Sequence, residues 1–120
     1  MPVTIPSLGP LRSYIKKHCD ISIHRMGAIC FKRNGHILAM ACNRRGNGYV
    51  SEFSFHCEEM VLEKSAYSRR REKAKTYILV VRFLRSGEYG LAKPCEGCRQ
   101  LCEEAGVTVF YTTIKGVERL

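Results

Sequence analysis

The sequence contains no tryptophan and only four prolines in 120 residues. It has no apolar run near the ~18–20 residues of a membrane span, which excludes a bilayer-crossing helix and a membrane partner. Residues 1–15 lack the basic-then-apolar order of a secretory signal, so the expected location is the cytoplasm. No repeat, low-complexity tract or linker interrupts the chain. Acidic residues are scarce at one end: residues 1–50 hold eight Lys/Arg and one acid, against twelve and ten in residues 51–120. A composition of 45% hydrophobic and 26% charged residues excludes collagen-like and disordered classes. The length predicts one domain over residues 1–120, large enough to bury about two thirds of its unfolded surface.

What is present in excess is basic charge and cysteine. The net charge of +9 meets the usual threshold for suspecting a polyanionic partner, and most of it lies in the first half. The seven cysteines are an odd number spread over the whole chain, several inside apolar runs where cysteine behaves as a small hydrophobe. A disulfide framework is therefore not expected. In a cytoplasmic setting the close pair Cys95-x-x-Cys98 points to metal or redox chemistry instead.

The apolar periodicity predicts an alternating chain. Residues 7–10 start a helix whose stripe is Leu11, Tyr14, Ile15, His18 and Cys19, with His18 read as a packed core residue. Residues 27–31 and 37–42 read as strands joined through the hairpin signal Asn34-Gly35. Residues 43–48 form a loop, residues 56–70 a helix and residues 76–83 a buried strand. Residues 86–93 read as a loop and residues 95–105 as a helix with Cys98, Leu101, Cys102 and Ala105 on one face, capped by Gly106. Residues 107–112 are a strand, and Lys115-Gly116 turns into a last short strand at 117–120. This order predicts an α/β domain of three layers, with helices packed on a sheet. Sites in such sheets form at the C-terminal ends of strands, where the next helix begins.

Two helices begin with metal-ligand residues: His56-Cys57-Glu58 and Pro94-Cys95-Glu96-Gly97-Cys98. A catalytic zinc takes three protein ligands and keeps one open position, and His56, Cys95 and Cys98 supply three. A Cys-x-x-Cys at a helix N-terminus aims both sulfurs at one point, and the positive helix end favours the thiolate. By helical period the Glu58 carboxylate lies roughly 200° from His56, yet in the first turn both side chains border one cleft. A carboxylate beside the open position, and not bound to the metal, is a general acid/base for the metal's water. A closed structural site would instead draw a fourth ligand from Cys57 or Cys102. Cys57 is read as facing away from both neighbours and packing on the sheet.

H-x-E followed by P-C-x-x-C, each opening a helix, resembles the signature of zinc-dependent nucleobase deaminases. The chain is similar to the cytidine/deoxycytidylate deaminase superfamily over nearly its full length. That resemblance implies a three-layer α-β-α cytidine-deaminase-like fold, with a mixed sheet of about five strands in the order 2-1-3-4-5. It implies Zn2+ held by His56, Cys95 and Cys98, and a Glu58 that carries a proton from the metal's water to N3 of a cytosine while ammonia leaves C4.

Within the superfamily the features are mixed. Cys98-Arg99-Gln100 and a final hairpin at Lys115-Gly116 resemble the free cytidine deaminases, whose last strands are antiparallel. Their Asn-x-Glu pair is replaced here by Cys42-Asn43-Arg44, and Asn43 looks like the substrate-contacting asparagine of the deoxycytidylate and nucleic-acid-editing branches. Arg44 and Arg45 would then meet a phosphate, or serve as a solvated basic loop. The run Arg69-Arg70-Arg71 is either a solvated helix end or a nucleic-acid contact. The missing tryptophan, and Gly90-Leu91-Ala92-Lys93 in place of the Ser-Trp-Ser element of DNA editors, weigh against a polynucleotide. The expected substrate is a small nucleotide or nucleoside, deoxycytidylate ahead of cytidine. The alternatives are a deaminase acting on single-stranded nucleic acid or tRNA, and a non-catalytic zinc-containing nucleic-acid-binding module. A homo-oligomer is expected because little chain remains to cover the last sheet edge.

Overall fold

The computed structural model describes residues 2–18, 25–42, 56–72, 74–84 and 86–120. Cys19, His24, Asn43, Arg44 and Arg45 lie outside the described residues. The elements are α1 (Gly9–His18), β1 (Arg25–Lys32), β2 (Ile37–Cys42), α2 (Cys57–Arg71), β3 (Thr76–Phe83), β4 (Tyr89–Gly90), α3 (Glu96–Glu104), β5 (Thr108–Thr113) and β6 (Gly116–Arg119).

The Asn34-Gly35 turn forms as its residues dictate. Gly35 takes φ +90, a left-handed conformation that costs a glycine little, and the Asn34 side chain accepts a bond from the His36 amide at 3.0 Å. It joins β1 to β2 in antiparallel register, Ile29 opposite Met40 and Ala28 opposite Ala41. β1 also pairs antiparallel with β3, and β3 pairs parallel with β5 across α3. The last hairpin closes antiparallel, with Thr113 opposite Gly116. The sheet order is β2-β1-β3-β5-β6, the mixed five-strand order expected, with the short β4 added on β3.

Strand alternation sorts the core into two layers. On one face Ala28, Cys30, Ala41, Ile78 and Val80 pack against Cys57, Val61 and Leu62 of α2 and Cys102 of α3. On the other, Ile29, Phe31, Tyr77, Leu79 and Val81 pack against Leu11 and Ile15 of α1. β3 is therefore covered on both faces, which is why 76–83 reads as an unbroken apolar run rather than an alternating one. The three-layer architecture holds.

Three local expectations change. His18 is exposed, not core, and its ring lies 4.5 Å from that of Tyr14. α1 packs on β1 and on the edge strand β2, and among the described residues of its stripe only Leu11 and Ile15 reach the buried centre. Leu101 is 40% exposed, because α3 buries the narrow Cys98/Cys102 line rather than a broad face. Residues 86–93 are more than a loop: Tyr89 and Gly90 return along the end of β3, opposite Phe83 and Arg82.

Candidate metal centre

α2 and α3 begin in the same way. His56 is the N-cap of α2 (φ −77, ψ 139) and Cys95 the N-cap of α3 (φ −68, ψ 166). Both are extended, and both give their carbonyl to the first helical bond, from Met60 and Arg99 respectively. Neither side chain makes the capping bond that a serine or aspartate would make there. Both are thus free to turn outward, and they turn toward each other.

His56 Nδ1 lies 3.2 Å from Cys98 Sγ and 3.5 Å from Cys95 Sγ. All three ligand atoms fall within 4.8 Å of one another. A tetrahedral zinc with Zn–N near 2.05 Å and Zn–S near 2.3 Å requires N···S edges of about 3.6 Å. The cluster matches that size with one nitrogen and two sulfurs, the donor set zinc prefers. Among the described residues neither Cys57 nor Cys102 joins the group, so a closed four-ligand site with either of them is not formed. Cys102 is packed in the core between α3 and the sheet. Among the described residues three protein ligands gather, which leaves the fourth position to a small molecule.

Burial, then the Glu58 carboxylate, push the Cys98 thiol well above its ordinary range. A coordinated divalent ion reverses that balance and deprotonates the thiol outright. Cys102, with no part in the cluster, is pushed up to about 11, chiefly by burial.

Glu58 sits in the first turn of α2, only 3% exposed. His56 is the extended N-cap outside the helix, so the 3.6-residue period does not govern the angle between the two. One carboxylate oxygen accepts a bond from Cys57 Sγ at 2.9 Å. Cys57 does pack on the sheet as expected, but its sulfur reaches Glu58 rather than facing away from it. Burial and that carboxylate hold the Cys57 thiol protonated, well above its usual range. The sequence carried no signal for this contact beyond adjacency.

The basic run at the other end of α2 is engaged with its own helix. Arg69 donates to Ser65 Oγ at 3.0 Å and to the Leu62 carbonyl at 2.9 Å. Arg70 reaches the Ala66 carbonyl, and Arg71 lies over the Tyr67 ring and bonds its hydroxyl. These are helix-end roles, complementary to the dipole.

A three-ligand His/Cys/Cys centre spanning two helix N-termini on an α/β/α sandwich defines a class of zinc proteins with an open metal position. Within that class the chain belongs to the family described as the cytidine and deoxycytidylate deaminase zinc-binding region, whose profile matches residues 12–113. Among solved structures it is similar to cytidine deaminase from Burkholderia pseudomallei, with 21% identity, TM-score 0.64, and 90% of this chain and 84% of that one covered. It is also similar to dCMP deaminase from the cyanophage S-TIM5 in complex with dCMP and dUMP, with 23% identity, TM-score 0.53, and 89% and 83% covered. A third is cytidine deaminase from Mycobacterium leprae, with 20% identity, TM-score 0.53, and 83% and 77% covered. At these identities the likeness establishes the fold. No curated protein sequence matches the chain significantly. Zinc is the cofactor of the family, and the donor set of His56, Cys95 and Cys98 fits it. No described helix is long and apolar enough to cross a membrane.

Proposed function

We propose that the chain is a hydrolase that converts cytosine to uracil in a nucleoside or nucleotide, consuming water and releasing ammonia. The observation that carries this reading is a buried carboxylate, Glu58, two residues from one ligand of a three-ligand metal cluster. Zinc, which His56, Cys95 and Cys98 would hold, would supply an activated water and stabilise charge at the reacting carbon. Glu58 would take a proton from the attacking water and deliver it to N3 of the ring as oxygen bonds to C4. It would then carry the proton of the new C4 hydroxyl to the exocyclic amine, so that the C4–N bond breaks, ammonia leaves and the C4 carbonyl forms. Burial of Glu58 suits this shuttle, since a carboxylate away from bulk water exchanges protons with its neighbours and not with solvent.

The relatives with similar folds include enzymes named for cytidine and for dCMP. The antiparallel β5–β6 hairpin is the feature expected of the free cytidine branch and Asn43 that of the deoxycytidylate branch, and deoxycytidylate is kept ahead of cytidine. Asn43 remains the candidate for substrate contact. Residues 1–120 are read as one deaminase domain, cytoplasmic and homo-oligomeric, with β6 as the candidate edge for association. Polynucleotides are disfavoured, because the arginines at the end of the fifteen-residue α2 lie about 20 Å along its axis from His56.

The test is ammonia release from cytidine, deoxycytidylate and single-stranded DNA or RNA by zinc-loaded protein. Turnover on a monomer is expected, and Glu58→Gln should lower it by about 10²–10⁴-fold with zinc stoichiometry unchanged. A Glu58→Gln protein of normal activity would overturn the assignment. Oligonucleotide binding with steep salt dependence and no ammonia from any substrate would replace the enzyme with a binding module.

A further inference from the structure

Where β3 ends, the sheet forks. β3 pairs with β5 as far as Val80 opposite Tyr111, and two residues later its partner is β4, with Arg82 opposite Gly90. A fork of this kind leaves backbone groups facing a gap. Thr112, the next residue of β5, is fully buried in it. Its hydroxyl accepts the Arg82 amide at 3.2 Å and donates to the Gly90 carbonyl at 2.9 Å. Its own carbonyl accepts the Ala92 amide at 2.9 Å. One residue thus ties β3, β5 and the segment after β4 together with three bonds.

That segment leads directly to the metal cluster. Ala92 is 1% exposed, Pro94 is buried, and Cys95 follows as the N-cap of α3 with its sulfur 3.5 Å from His56 Nδ1. Cys95 itself is exposed and its side chain makes no capping bond, so its placement rests on the first turn of α3, which its carbonyl closes, and on the chain that precedes it. We propose that Thr112 is a positioning residue for the metal centre: by holding Gly90 and Ala92 it sets the approach of Cys95 and preorganises the His/Cys/Cys cluster before metal binds. The proposal rests on reading that cluster as a zinc centre.

Thr112→Val keeps the branched shape and removes the hydroxyl, and Thr112→Ser restores it. Zinc affinity, measured by competition with a chromophoric chelator, is expected to fall by about 10–100-fold in Thr112→Val and to recover in Thr112→Ser. Cobalt(II) substituted for zinc reports ligand geometry directly, and its visible bands are expected to weaken and broaden in Thr112→Val alone. Unchanged zinc affinity and cobalt spectrum in Thr112→Val, with equal loss of thermal stability in metal-free and loaded forms, would reduce Thr112 to a fold role and overturn the proposal. Hydrogen exchange in the metal-free wild type covers the case in which Thr112→Val does not fold. The Arg82 and Ala92 amides are expected to be protected without metal, and fast exchange there would show that the metal, not Thr112, orders the segment. A wild-type protein that takes up cobalt without cysteine-to-cobalt charge-transfer bands would overturn the metal centre itself, a failure distinguishable from that of Thr112.

Discussion

Gly27 is where α1 comes down on the sheet, and Gly27→Ala measures how closely. A Cβ added there would meet Ile15 Cδ1 at 2.6 Å, Leu11 Cδ1 at 2.8 Å and Ile15 Cγ1 at 3.1 Å. Both neighbours are ends of flexible side chains, but Leu11 is 0% and Ile15 3% exposed, so neither has free volume to turn into. Overpacking of this kind costs about 1–3 kcal/mol. Replacing glycine within a strand returns about 0.5–1 kcal/mol of backbone entropy. The balance is a loss of about 1 kcal/mol, or roughly 3–6 °C in Tm for a chain of this size. Gly27→Val, with two further methyl groups, should lose about 3 kcal/mol or more. Urea and thermal unfolding of the zinc-loaded protein measure both. Because α1 covers the face of the sheet opposite α2 and α3, zinc affinity per folded molecule should not change. A Gly27→Ala protein as stable as wild type would refute the close packing of α1, and a parallel loss of zinc affinity would refute the independence of the two faces.

Metal removal should destabilise the protein, since zinc at a thousandfold excess over its Kd contributes about 4 kcal/mol of linkage to the folded state; differential scanning calorimetry with and without chelator reads the shift. Cys95→Ser should lower zinc affinity sharply while Cys102→Ser leaves one zinc per chain, measured by elemental analysis after gel filtration, because Cys102 lies outside the cluster. Cys102, raised to about 11 when folded, keeps its proton between about pH 9 and 11 while the unfolded chain loses it, so this residue's contribution to stability falls across that range; the slope in urea denaturation series should flatten in Cys102→Ala. Arg69→Ala removes two helix-end bonds and should cost about 1–2 kcal/mol without reducing ammonia release per folded molecule; loss of turnover with stability intact would give the arginine a substrate role.

The parts of this structure legible in the sequence are those written by local rules. Asn34-Gly35 demands its turn, residues 76–83 form β3 because a central strand is apolar on both faces, and Gly106, at φ +71, ends α3 as a left-handed cap. The metal ligands were legible because His56 and Cys95 occupy equivalent N-cap positions, and a helix start is marked by its neighbours. What was not legible depends on tertiary geometry. His18 fits the α1 stripe by period, but which part of a stripe is buried depends on where the helix crosses the sheet, here at an edge. The two residues of β4 carry no periodicity, and their pairing exists because β5 diverges from β3 at Thr112. The bond from Cys57 to Glu58 runs between adjacent side chains, where helical period predicts divergence, and arises because the carboxylate is buried with the thiol.

The +9 charge invites a polyanion, but several of the described cations are engaged with the fold away from the metal ligands. Arg12 lies over the Phe83 ring and donates to the Gly87 carbonyl, Arg33 bonds the Tyr77 hydroxyl, and Lys32 pairs with Glu72 beyond the far end of α2. Lys64 of α2 bonds Tyr14 of α1 and the Met40 carbonyl, joining both helices to the edge strand β2. Each of these tethers one element of the fold to another, and the α1 group lies on the face of the sheet opposite the cluster. A polynucleotide drawn to α1 or to the end of α2 would therefore not present a base to His56, Cys95 and Cys98. Guanidiniums engaged with the fold in this way support the proposed monomer over a polymer. Oligonucleotides should accordingly inhibit deamination of cytidine weakly and non-competitively at low salt. Strong competitive inhibition would mean that the basic surface feeds the site after all.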